Sequence, residues 1–284
     1  MGAIGSKLVA KMTKAARGKV VNLQAFAAGK ASAAELQRSV VSSADLAGLD
    51  PVHALYVYAQ NQVSVMTEQL CALPEMKKFA DMIAAADDEY MPGGPPMSPL
   101  THSFFTSWAV FDACVGAETV GTVALEAGAA LGMHPELLRI IGLMQDSRMG
   151  LYTVDAVEAG AVVLRELFTD KAFRAIVPAG YSGRRGEIWY VRLLPPLLGG
   201  TDYVVFTTPY VDQETPLRAW QAYLERTFPG KDLVAHARFM KYGPSRSYWN
   251  EYVFEAYASH RTEVIFLVGL PDIEASRPHS RVNS

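Results

Sequence analysis

His102, Asp112, Glu118 and Glu126 are the first side chains whose types could do chemistry. Histidine suits general-base work near neutral pH, and a carboxylate beside it orients the ring. His102 with Asp112 or Glu118 as its partner therefore reads as the catalytic set of a hydrolase-type enzyme. The same donor types would also suit a divalent cation. The spacing favours neither use. His102 and Asp112 are ten residues apart, nearly three turns of one helix. Glu118 and Glu126 share a helix face but stand about 12 Å apart along it, so one cation would need ligands from a second helix. The plainer alternative makes His102 a helix cap behind Pro99 and leaves the acids to solvent or ion pairs. No metal site and no cofactor are expected.

A second group is basic. Tyr181-Ser-Gly-Arg184-Arg185-Gly-Glu187 sets two adjacent arginines in a glycine-flanked hairpin. Guanidinium groups grip phosphate or carboxylate through two parallel hydrogen bonds, and loops on a rigid sheet are where binding residues collect. With Arg148 and Trp189 they make the binding set of a groove between a helical half and a β half. Asp146 and Arg148, where the two halves meet, read as an ion pair. A third group is aromatic: Tyr242, Tyr248, Trp249, Tyr252, Phe254 and Tyr257, with Arg246 and His260. Such a group could stack bases or sugars, but part of it falls at helical spacing, which a core stripe explains equally. The phosphate-cradling, zinc-peptidase and serine-hydrolase signatures GxGxxG, GxxxxGK[ST], HExxH and GxSxG are absent.

The elements that must carry these residues fall into two styles. Residues 51–73 place Val52, Leu55, Ala59, Val63, Met66 and Leu70 on one helical face behind Pro51. Further helices follow over 74–89, 100–112 and 118–131, the last with Gly121 and Gly128 for close helix contact. His134-Pro135-Glu136 opens another, which runs to Gly150. Residues 91–99, with four prolines and two glycines, interrupt the series as a loop or linker. Near residue 150 the side-chain period changes from about 3.6 to about 2. Strands are then expected at 151–154, 162–167, 172–177, 186–194 and 203–208, in the short, turn-separated style of a small barrel. Helices at 215–228, 233–242 and 247–259 precede a last strand at 262–270. The fold class is therefore α+β: a helical N-terminal half, then a small antiparallel β-barrel or rolled sheet with inserted helices. The divisions are 1–34, 35–150, 151–273 and a disordered tail, 274–284.

The chain has 284 residues, 50% of them hydrophobic and 19% charged, with a net charge of −3. Those values fit a globular protein that folds without disulfide or metal staples. The acidic balance argues against nucleic acid as a partner. The first 34 residues are the exception, with six basic side chains and no acid. Ile4, Leu8, Met12 and Ala16 would give a helix there one thin apolar stripe. That segment reads as a solvated helix packed on the acidic body, or as a peripheral membrane contact through residues 1–21. No apolar run is long enough to span a bilayer. Cys71 and Cys114 read as two buried thiols in a reducing, cytoplasmic setting. The leading functional expectation is a binding or regulatory protein, with an unknown protein or a small anionic ligand as its partner; the hydrolase is the alternative.

Overall fold

In the computed structural model, the described residues are 2–17, 47–49, 51–90, 101–196, 199–212, 214–243 and 257–270. The expected loop at 91–99, most of the helix at 247–259 and the tail from 274 lie outside them. Six described helices precede the first strand: α1 (Ala3–Arg17), α2 (Pro51–Cys71), α3 (Lys77–Tyr90, after a 3₁₀ turn at Pro74–Met76), α4 (His102–Phe111), α5 (Val120–Ala130) and α6 (Pro135–Asp146). The chain divides into two units. The first comprises Met1–Asp88, Thr106–Asp146 and Pro196–Thr201. The second comprises Glu89–Phe105, Ser147–Pro195 and Asp202–Ser284.

In the first unit, α5 is the element that three other helices share. α1, α2 and α6 all contact it. α2 buries Tyr56, Ala59, Val63 and Leu70, so its inward face is turned slightly towards Tyr56 from the expected stripe. Thr119 caps α5, with Thr122 N donating to its hydroxyl at 3.1 Å and Thr122 Oγ1 accepting from Thr119 N at 2.9 Å. Gly121 is needed where α5 meets α6, because a Cβ there would overlap Gln145 Oε1. Gln145 ties the helices together by accepting from Thr119 Oγ1 at 2.7 Å and donating to Phe111 O at 2.9 Å. α6 starts as its sequence indicates, with Glu136 N donating to His134 Nδ1 at 3.3 Å.

Among the described residues the second unit has eight strands: β1 (Arg148–Glu158), β2 (Ala161–Glu166), β3 (Ala172–Ile176), β4 (Ile188–Leu194), β5 (Tyr203–Val205), β6 (Tyr210–Asp212), β7 (Tyr257–Arg261) and β8 (Val264–Leu267). β1, β2, β3, β5 and β4 close into a five-stranded barrel through the β1–β4 pairing, and β6, β8 and β7 continue from β4. The expectation of a purely antiparallel barrel is corrected: β3 pairs with β5, and β6 with β8, in parallel. The reason is topological. Directions cannot alternate around a closed ring with an odd number of strands, so one neighbouring pair must be parallel. The barrel interior is filled by Tyr152, Val154, Val162, Leu164, Ala175, Trp189, Val191, Val205 and their neighbours.

Two described helices, α7 (Leu217–Thr227) and α8 (Leu233–Tyr242), stand between β6 and β7, joined through a 3₁₀ turn at Pro229–Lys231. Three further expectations change. The strand expected over 203–208 ends at Val205, because Arg192 N donates to Thr207 Oγ1 and bends the chain; Pro209 then separates it from β6, which the sequence reading missed. Tyr257–Ser259, assigned to a helix, lie in β7, paired antiparallel to β8. The thiols are not both buried: Cys114 is exposed in the turn after α4 and Cys71 is half-buried at the end of α2.

Candidate functional site

The acid–base set does not assemble around His102. His102 is exposed as the first residue of α4, and the cap is Thr101, whose hydroxyl accepts from Phe104 N at 3.2 Å. Asp112 follows the other end of the same helix, about 15 Å away at 1.5 Å per residue, and is buried. Glu118 has a different occupation. Its carboxylate accepts from Ile4 N at 2.9 Å and Gly5 N at 2.8 Å, while Glu126 Oε1 accepts from Gly2 N at 3.1 Å. Glu118, just ahead of the Thr119 cap, and Glu126, inside α5, both meet the backbone donors at the start of α1 rather than a shared cation; the helix face expected to carry both acids is not formed, because α5 begins only at Val120. Carboxylates are favourable there because the first turn of a helix has unpaired N–H groups and a partial positive charge. Gly2 and Gly5 permit the approach, since a Cβ at either would overlap Glu118 or Glu126. Leu8 is buried in this contact and Lys11 reaches Glu75 at 2.7 Å, so the apolar stripe of α1 is turned inward. No described helix is long and apolar enough to cross a membrane, and no described cluster of His, Cys, Asp and Glu could hold a metal ion.

The four residues of the basic set divide. Trp189 is fully buried in the barrel interior and lines no surface. Arg148 lies in register with Leu193 at one end of the β1–β4 ladder, whereas Thr153 pairs with Ile188 at the other. Arg184 and Arg185 precede Ile188, so about 16 Å of strand separates their end from that of Arg148. Arg148 is also engaged: its Nη2 is 2.7 Å from Glu166 Oε1, in place of the expected partner Asp146, which is exposed.

The Arg184–Arg185 loop is well ordered by its own residues. Glu187 Oε1 accepts from the Tyr181 hydroxyl at 2.9 Å; Glu187 Oε2 accepts from Trp189 Nε1 and Arg184 N, each at 3.0 Å. The ladder continues into the loop through Gly186 N to Val154 O at 2.8 Å and Val154 N to Glu187 O at 2.9 Å. Gly183 has φ +70, and a Cβ there would overlap the Trp189 ring. Arg184 and Arg185 are exposed, and neither makes an ion pair among the described residues. Arg261 lies 5.5 Å from the Tyr181 ring centre and pairs with Glu263 at 3.1 Å. Burial and the neighbouring Glu187 push the Tyr181 hydroxyl up to about 12, so it remains a donor at neutral pH.

A third constellation was missed. Glu166 is buried, accepting from Thr169 Oγ1 at 2.6 Å and pairing with Arg148. Near it His236 of α8 is 1% exposed, with Nε2 unpaired. It stacks on Phe168 at 4.0 Å and meets the edge of Phe228 at 5.1 Å. Burial, aided by the charge of Arg148, lowers its pKa to about 4, so the ring is neutral at physiological pH. Phe168 and Phe228 also line a cleft of about 310 Å³, with Leu167 and Leu224. The signal for Glu166 was available: period-two alternation puts it on the face that carries Val162 and Leu164 inward. His236 gave none, because nothing in a single helical turn shows that two distant phenylalanines enclose it. Of the aromatic group, Tyr242 is exposed beside Lys241 and Tyr257 lies in β7 opposite Leu267, as His260 does opposite Ile265; Tyr248, Trp249, Tyr252 and Phe254 lie outside the described residues. No protein-family profile, curated protein or solved structure matches this chain.

Proposed function

We propose that the protein is a non-enzymatic binding module whose recognition element is the β3–β4 loop, with Arg184 and Arg185 holding an acidic segment of a protein partner. One observation carries this reading. Glu187 is engaged by three donors from its own surroundings, so the loop is fixed in shape, while the two guanidinium groups beside it remain exposed. A preformed loop loses little conformational entropy on binding, and paired arginines match carboxylates in geometry as well as charge. The expected hairpin is not formed, since β5 lies between β3 and β4, but exposure on this connecting loop, rather than enclosure in a cavity, suits a protein segment better than a small anion. The hydrolase reading lacks equivalent support, because α4 separates His102 from Asp112 and Glu118 serves α1.

The test is binding of a fluorescent poly-glutamate peptide at low salt to the full chain and to the Arg184→Ala, Arg185→Ala double variant. Losing two charge-assisted contacts is expected to weaken binding about tenfold, with the melting temperature unchanged. Equal affinities for the two proteins would remove the loop from consideration.

A further inference from the structure

The cleft beside Phe168 and Phe228 has a composition that selects a ligand. Its floor is apolar: Leu167 and Phe168 just after β2, Leu224 of α7 and Phe228 at the cap that ends α7. Its rim carries one acid, Glu225, one base, Lys231, and an amide, Gln221. Gln221, Leu224, Glu225 and Phe228 recur at i, i+3, i+4 and i+7, so a single face of α7 supplies most of the wall. Neither Glu225 nor Lys231 makes an ion pair among the described residues, although neighbouring charges do find partners. Arg226, one residue on, sits over the Tyr223 ring at 5.4 Å.

Two independent features mark the same place. Lys231 adopts φ +55 directly after Gly230 at φ +73, so a non-glycine residue is held in the left-handed region at the rim. Such residues are a few per cent of non-glycines and collect where a side chain has to be presented in one direction. The back of the wall is also unusual. His236 touches both Phe168 and Phe228 and has a buried Nε2 without a partner, which keeps a polar atom in an aromatic stack that apolar residues alone could fill.

We propose that this cleft binds a free α-amino acid with a large apolar side chain, its ammonium group on Glu225, its carboxylate on Lys231 and its side chain on the phenylalanine floor. The volume is at the lower end of small-molecule sites, which suits a molecule of that size. An acid and a base on one rim favour a zwitterion over either a simple amine or a simple acid, because each singly charged ligand leaves one rim charge without a partner. The site lies where the residues after β2 meet the end of α7 and does not depend on the Arg184–Arg185 loop.

The experiment is calorimetric titration of the full chain with L-phenylalanine, phenethylamine, phenylacetate and L-alanine. L-phenylalanine is expected to bind, and the other three to bind at least about fivefold more weakly. Glu225→Gln is expected to reduce affinity about fivefold, as is Lys231→Asn, which removes the charge while tolerating the left-handed backbone. Gln221→Trp, which obstructs the mouth from an exposed position, is expected to abolish binding. Circular dichroism of each variant confirms that it is folded. The proposal is overturned if L-phenylalanine does not bind, if the amine or the acid binds equally well, or if folded variants keep full affinity.

Discussion

His236 is the residue whose ionisation the fold has changed most clearly. Free in water, its ring would take up a proton near pH 6.5; among Phe168, Phe228 and Arg148 it does so only near 4. Between those values the unfolded chain binds a proton that the folded chain refuses. The unfolded state is therefore favoured as pH falls through that window, and stability declines from about 6.5 down to about 4. Allowing for some hydration of the ring edge, the loss between pH 7 and 5 is roughly 1–2 kcal/mol. Urea denaturation at the two pH values measures it. His236→Phe, which keeps an aromatic ring against Phe168, is expected to flatten the dependence over that range. An unchanged slope in the variant would show that other groups carry it. The same replacement removes the unpaired Nε2, so at pH 7 it should not cost the full penalty of a core truncation.

At the scale of elements, α1 is held to α5 by an arrangement that tolerates little change. Glu118→Ala would leave the N–H groups of Ile4 and Gly5 without partners, at a cost of up to about 2 kcal/mol. Gly5→Ala would push a methyl group into the Glu126 carboxylate. Both variants are expected to speed tryptic cleavage after Lys7 and Lys11, whereas Glu75→Gln, which removes only the charge of the Lys11–Glu75 ion pair and keeps both cleavage sites, should change little. Unchanged cleavage in Glu118→Ala would mean that the apolar contact of Leu8 suffices to hold α1 in place. This contact also shows what a single sequence can and cannot convey. The amphipathic stripe of α1 and the two acids Glu118 and Glu126 were both legible, although Glu118 lies ahead of the Thr119 cap and not on the α5 face that the helical spacing suggests. That the two features belong to each other was not, because their partnership spans more than 110 residues and is made by backbone donors. Strands β1 to β4 were legible from alternation for the same local reason. The parallel β3–β5 pairing, the division at Pro209 and the burial of Trp189 are consequences of closing the barrel, which no short window contains.

At the scale of the whole molecule, the switch of side-chain period near residue 150 does not coincide with a place where the chain can be cut. The second unit includes Glu89–Phe105, which precedes it in sequence by two helices. Of these, Thr101, Ser103 and Phe104 hold the second unit together. Phe104 is 3% exposed and meets the edge of Tyr210 at 5.4 Å, and Thr101 N donates to the Tyr210 hydroxyl at 3.0 Å. Ser103 Oγ lies 3.2 Å from Thr208 Oγ1 and also accepts from Thr208 N at 3.2 Å. A fragment beginning at Ser147 lacks all of these. It leaves the buried Tyr210 hydroxyl without Thr101 and opens the space that Phe104 fills, a loss of about 3 kcal/mol or more. A barrel of short strands has little stability to spare, so the fragment 147–284 is expected to lose sharp near-ultraviolet dichroism and to unfold at much lower urea than the full chain. Adding a peptide spanning residues 98–106 should restore part of that stability in a concentration-dependent way, because it binds only the folded form. A fragment as stable as the full chain, indifferent to the peptide, would show that the residues before β1 merely rest on β6 rather than complete its core.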